Sequence, residues 1–180
     1  MKKITTAAAV FAVIGLTSCY KNDPLYPPPP QPPPKAVVIV KSDNTYGDQT
    51  VTGAKTGFLI GAWTVEVKNE PVQFIGTTFS LDTLSSATLA KVKKLSSTIK
   101  GIGIDRGTDT LQTLQTREND FYVPQNMNIM LGMNDSYRIK LYADVAPPVK
   151  FTSRMKLWYV NSRGELNAVS FKTGQTIIIN

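Results

Sequence analysis

What a chain can catalyse depends on which reactive side chains it owns, and these 180 residues include no histidine. That removes the commonest general base near neutral pH, the Ser-His-Asp and Cys-His arrangements, and the commonest zinc ligand. A glycosidase needs only two carboxylates, and the 13 acidic residues include Asp105, Asp109, Glu118, Asp120, Asp135 and Asp144. Most of them stand beside Gly, Thr or Asn, the company of solvated turns. Asp105-Arg106-Gly107-Thr108-Asp109 and Asn134-Asp135 offer oxygen ligands without the spacing of a calcium loop. Gly101-Ile102-Gly103-Ile104 lacks the third glycine and the following helix that a phosphate-binding loop needs, and reads as strand. The expectation is a protein that is not an enzyme and holds no metal and no cofactor.

Recognition is better supplied. Tyr142 and Trp158 alternate in phase with Arg138, Lys140, Arg154 and Lys156, on the face assigned to water. An exposed aromatic ring among hydrogen-bonding groups can stack on a sugar or anchor a protein partner. Tyr142, Trp158, Arg154 and Lys156 are therefore the candidate ligand-binding residues, for a glycan or an envelope protein. The alternative is that Trp158 is covered by an adjoining strand or by the segment Ser85 to Leu95. The chain carries +7 in all, and loss of residues 1–18 would take Lys2 and Lys3 and leave 18 basic and 13 acidic residues, a charge of +5. The basic residues are scattered, which argues against nucleic acid as a partner but permits mild attraction to anionic envelope polymers.

The one cysteine, Cys19, stands between an apolar run and a proline tract. Lys2 and Lys3 make a positive start, and Ala7 to Leu16 make an apolar run of roughly ten residues, too short to span a bilayer and suited to an export signal. Leu16-Thr17-Ser18-Cys19 resembles the lipobox of bacterial lipoproteins. The resemblance implies removal of residues 1–18 and diacylation of the Cys19 thiol, which would tie the mature chain to a membrane outside the cytoplasm, at the outer membrane or cell surface. A buried structural cysteine after a transmembrane start is the other reading. Tyr20 after the cysteine is not the Asp of inner-membrane retention, and Tyr20-Lys21-Asn22-Asp23 loosely resembles a surface-export signal, with Asn22 as a departure. With Cys19 acylated no thiol remains for a disulfide, so the exported domain would rely on its core alone.

Eight of the twelve prolines fall between Pro24 and Pro34. Such a run favours polyproline II at about 3.1 Å per residue, giving a spacer of roughly 30–35 Å. A ligand for proline-binding modules is the rival reading, and the position beside a lipid anchor favours the spacer. The expected organisation is signal peptide 1–18, lipid-anchored linker 19–35 and one domain over 36–180.

That domain alternates with period two. Tyr137, Ile139, Leu141, Ala143 and Val145 share one face of a strand, as do Val149, Phe151, Met155, Leu157 and Tyr159 of the next. Trp63, Val65 and Val67 alternate with polar residues, and Val72, Phe74, Phe79 and Leu81 continue the pattern. Turn residues sit between these runs at Asn69-Glu70-Pro71, Asn134-Asp135-Ser136 and Asn161-Ser162-Arg163-Gly164, while Pro147-Pro148 marks a corner. Ser85 to Leu95 is ambiguous between helix and strand. The fold expected is an all-β antiparallel β-sandwich, immunoglobulin-like or jelly-roll in type.

Over Leu59 to Val145 the stretches Ile60-Gly61-Ala62, Val65-Glu66-Val67, Asn69-Glu70-Pro71-Val72, Tyr122-Val123-Pro124 and Tyr137 to Val145 resemble β-sandwich modules of exported bacterial cell-surface proteins. The resemblance implies a surface binding or scaffold role and brings no active site. As an alternative, the β-branched Thr176-Ile177-Ile178-Ile179 could pair with a sheet edge on a neighbour, making the protein a structural subunit of an envelope assembly.

Overall fold

Strict alternation of apolar and polar residues instructs the chain locally to run extended with one face toward a core. A computed structural model describes residues 31–82, 86–108, 114–117 and 120–180. The signal segment 1–18, Cys19 and the prolines up to Pro30 lie outside the described residues, as do Ser85, Asp109 and Glu118. The chain divides into two units, Met1–Pro33 and Pro34–Asn180, and the strands among the described residues belong to the second.

In chain order the elements are β1 (Val37–Ser42), β2 (Gln49–Val51), β3 (Lys55–Lys68), β4 (Val72–Asp82), the helical turn α1 (Ser86–Leu89), β5 (Val92–Gly101), β6 (Ile104–Thr108), β7 (Leu114–Arg117), β8 (Asp120–Leu131), β9 (Ser136–Val145), β10 (Val149–Val160) and β11 (Leu166–Ile179). They build the expected sandwich. One sheet has the order β1-β3-β9-β5-β6 and the other β2-β11-β10-β4-β8-β7. Among the described residues the pairs are antiparallel except β2 with β11, which run parallel.

The predicted inward faces are the buried ones. Tyr137, Ile139, Leu141, Ala143 and Val145 of β9 pack in the core against Val149, Phe151, Met155 and Leu157 of β10 and their neighbours. Each large apolar side chain withdrawn from water contributes about 1.5–3 kcal/mol. Trp63 joins the two sheets: its ring centre lies 5.7 Å from that of Phe79, and its indole N–H donates to the Lys172 carbonyl at 3.1 Å. A Cβ at Gly61 or Gly174 would come within 2.4 Å or 2.6 Å of the indole, so only glycine leaves room for the ring.

Bulges explain where the alternation changes phase. In β4 Phe74 pairs with Tyr159 and Gly76 with Trp158, leaving Ile75 as an extra residue that moves the inward set from Val72 and Phe74 to Phe79 and Leu81. In β5 Lys93 faces Asp144 and Ser96 faces Tyr142, so two residues oppose one, and Lys94 adopts a φ of 49°. This resolves the ambiguous segment Ser85 to Leu95: α1 spans Ser86–Leu89, and β5 begins at Val92 with its phase broken at Lys94.

Two readings are corrected. Gly101-Ile102-Gly103-Ile104 is strand only at its two ends: Gly101 closes β5 and pairs with Ile104, which opens β6, and Ile102-Gly103 form the tight turn between them, where Gly103 takes a φ of 70° that a side chain would resist. The terminal Thr176-Ile177-Ile178-Ile179 is not a free edge. It pairs with β10 on one side, its last three residues pair with β2 on the other, and Ile177 and Ile179 are fully buried.

One polar side chain locks the β1–β2 loop to the sandwich. Gln175, 2% exposed, accepts a hydrogen bond from the Ala62 N–H at 2.6 Å. Its amide nitrogen lies 3.0 Å from the Tyr46 carbonyl and 3.3 Å from the Asp43 carbonyl. A buried carboxamide is tolerated only when satisfied in this way.

Candidate functional site

β9 is the middle strand of the five-stranded sheet, so its outward positions have a neighbour on each side. Arg138 stands between Thr64 of β3 and Lys100 of β5, Lys140 between Ala62 and Thr98, and Tyr142 between Leu59 and Ser96. Thr64, Thr98, Lys100, Ser136, Arg138, Lys140 and Tyr142 line an open groove of about 570 Å³ on this outer face, with Gly101 and Tyr137 at one end. That volume falls within the ~300–1,000 Å³ typical of ligand sites. The Tyr137 hydroxyl accepts from the Gly132 N–H at 2.6 Å and donates to Asp135 at 3.1 Å.

The β1–β2 loop holds two of the cations. Arg138 Nε lies 2.6 Å from Asp43 Oδ2, an oxygen that is buried and takes no hydrogen bond of good geometry, so the contact is one of charge. The other carboxylate oxygen, Oδ1, accepts the Thr45 N–H at 3.0 Å. Burial pushes the Asp43 carboxyl up, but the Thr45 hydrogen bonds and the Arg138 charge outweigh it, and the group sits below the usual carboxylate range. Lys140 Nζ lies 4.6 Å from the centre of the Tyr46 ring, and Lys100 Nζ lies 3.1 Å from Asp105.

The predicted binding residues divide between two faces. Trp158, Arg154 and Lys156 lie together on β10, on the outer face of the six-stranded sheet, and Tyr142 lies on the opposite side of the sandwich. Trp158 is half-buried: its indole N–H donates to Thr78 Oγ1 at 2.9 Å, and Lys156 Nζ lies 4.1 Å from the ring centre. Arg154 pairs with Asp82. Strand parity pointed to Arg138, Lys140 and Tyr142, whereas Asp43, Tyr46, Thr64, Thr98 and Ser136 have no sequence signal that connects them to the groove.

Among the described residues no cluster of three or more His, Cys, Asp or Glu side chains could hold a metal ion, and no helix is long and apolar enough to cross a membrane. No protein family matches the chain. No curated protein matches it either. Among solved structures it is similar to the major pilin subunit of Bacillus cereus, with a TM-score of 0.36 and 5% identity, over 80% of this chain and 40% of that one. This chain thus spans less than half the length of that subunit.

Proposed function

We propose that this protein is a lipid-tethered module of the bacterial cell envelope, non-catalytic, that binds a glycan or protein ligand on the outer face of its five-stranded sheet. The observation that carries this is the groove beneath Tyr142, where an aromatic ring, three hydroxyl side chains and three cations line one concavity. The anchor rests on Leu16-Thr17-Ser18-Cys19 behind an export-type apolar run, and the proline tract after it supplies a stand-off. Where the sandwich begins, the chain is pinned to the β3–β4 turn: Asn69 donates to the Lys35 carbonyl at 2.8 Å, and the Ala36 N–H donates to Glu70 at 3.1 Å. A pull on the tether would therefore reach the sandwich at a braced turn.

Three measurements test the reading. Labelled palmitate should be incorporated by the native chain and not by Cys19→Ala, and the native protein should be reached by protease on intact cells. Tyr142→Ala, with its fold retained, should lose roughly tenfold or more in ligand affinity. Incorporation of label by Cys19→Ala would refute the anchor, and ligand binding that ignores Tyr142 would refute the groove.

One observation favours a structural subunit as a second reading. β11 pairs with β10 along most of its length but with β2 only at Ile177–Ile179, so among the described residues no strand pairs with the other edge of Leu166 to Phe171, where Leu166 is 62% exposed. A concentration-dependent oligomer lost in Leu166→Lys would support assembly through that edge, and a monomer at all concentrations would dismiss it.

A further inference from the structure

We infer that the groove on the five-stranded sheet takes an acidic glycan, its carboxylate held by Arg138 and Lys140 and its sugar rings lying along Tyr142. This rests on the reading of that groove as the ligand site and adds the chemical class of the ligand.

Charge comes first. Lys100, Arg138 and Lys140 all line the groove. The lining itself holds no carboxylate, and the acids around it are each ion-paired, Asp43 with Arg138, Asp105 with Lys100, Glu66 with Lys41 and Asp144 with Lys94, which among the described residues leaves Lys140 as the groove charge without a counter-ion. The concavity is therefore electropositive, and an anion is the ligand it favours.

The second point is that the cations are held in place. Surface lysines and arginines ordinarily sample many rotamers, and ordering each one on binding costs about 0.5–1.5 kcal/mol. Here the buried Asp43 carboxylate holds Arg138 by charge with its approach at Nε, and the five N–H donors of the planar fork are more than one carboxylate oxygen can use, so the guanidinium can still meet a second carboxylate. Tyr46 restrains Lys140 from the same loop, and Gln175 fastens that loop by the carbonyls of residues 43 and 46. As a stabilising device the arrangement is poor, since an exposed ion pair contributes ~0–1 kcal/mol and burying a carboxylate costs more. As a way to keep a guanidinium at the groove, it serves.

The third point separates a sugar acid from a bare anion. Arg138, Lys140 and Tyr142 occupy alternate positions of β9, so they extend over ~13 Å, longer than a single carboxylate can use. Between and beside them the hydroxyls of Thr64, Thr98 and Ser136 both donate and accept, as sugar hydroxyls do, and Tyr142 supplies an aromatic face.

The test uses the full chain in detergent and two probes of equal length, oligogalacturonate and the neutral oligoglucan dextran, with affinity read by calorimetry. Oligogalacturonate should bind at least about tenfold more tightly, and its affinity should fall with added salt. Arg138→Ala with Lys140→Ala should weaken it by at least about tenfold, Arg138→Lys should also weaken it through loss of the fork, and Lys150→Ala on the other sheet should leave it unchanged. Asp43→Asn keeps all three groove cations and releases Arg138, so a several-fold loss would mark positioning rather than charge; thermal melting reports whether that variant folds, and Arg138→Lys carries the same question if it does not. Equal binding of both probes, abolished by Tyr142→Ala, would overturn the acidic class and keep the sheet-face site. Binding of neither probe would overturn the acidic glycan, and the Tyr142 measurement on other ligands then decides the site. Oligogalacturonate binding indifferent to Arg138 and Lys140 in folded variants would overturn the inference as well.

Discussion

Replacing Gln175 with alanine should destabilise this domain more than any change at an exposed position. The carboxamide satisfies the buried Ala62 N–H at 2.6 Å and the half-buried Tyr46 carbonyl at 3.0 Å. A buried group left without a partner costs about 1–3 kcal/mol and the half-buried carbonyl costs less, which gives roughly 2–5 kcal/mol for the pair. A loss near 4 kcal/mol is a large share of the ~5–15 kcal/mol that holds a domain folded, and should lower Tm by roughly 10–15 °C. Urea denaturation of both proteins, with the midpoint read at constant slope, measures it. Amide exchange at Thr45 should quicken in the same variant, because the loop that positions Asp43 and Tyr46 keeps its ties through Asp43 and Asp48 but loses the one through Gln175. Gln175→Glu is the sharper control, since its second oxygen would face the Tyr46 carbonyl and repel it. If either variant loses less than about 1 kcal/mol, water or a shifted loop satisfies those groups and the clamp is not what holds the loop.

Gly61→Ala and Gly174→Ala should each cost about 1–3 kcal/mol or more by thermal melting, because a Cβ there meets the buried Trp63 ring at 2.4 Å or 2.6 Å; a neutral effect would mean the indole can move aside. Stability should fall on acidification below about pH 4. Asp43, Glu70 and Asp144 are all held below the usual carboxylate range: Asp43 by Thr45 and Arg138 against the opposing push of burial, Glu70 chiefly by the Ser162 hydroxyl, and Asp144 chiefly by the Gly57 N–H. The unfolded chain therefore binds protons at a higher pH than the folded one, so their contribution is present above the unfolded values and is lost as pH drops through the folded ones. Denaturation midpoints across the acid range check this, and Asp43→Asn should make the decline shallower. Trp158→Phe removes the N–H bound to Thr78 and should cost about 1 kcal/mol. The emission that remains should be that of buried Trp63, and a red-shifted spectrum would contradict its burial.

The sequence by itself determined the class of fold and the identity of the inward faces, because alternation along a strand is a property of successive residues and needs no partner to be read. Val149 to Tyr159 and Tyr137 to Val145 face the core as their spacing demands, and the turns at Asn69, Asn134 and Asn161 lie between strands. Chain order says nothing about which strand lies beside which, since pairing is settled by hydrogen bonds between distant segments. Tyr142 and Trp158 accordingly share a polar parity in sequence and stand on opposite outer faces in the fold. Phase was lost wherever a bulge placed two residues opposite one, as at Ile75 and Lys94, because an extra residue reverses every side chain beyond it. Tertiary structure alone decided the groove. Asp43 reaches Arg138, and Gln175 reaches Tyr46, only after β1, β3, β9 and β11 have come together, and the contacts that aim the cations depend on geometry that residue types do not encode one by one.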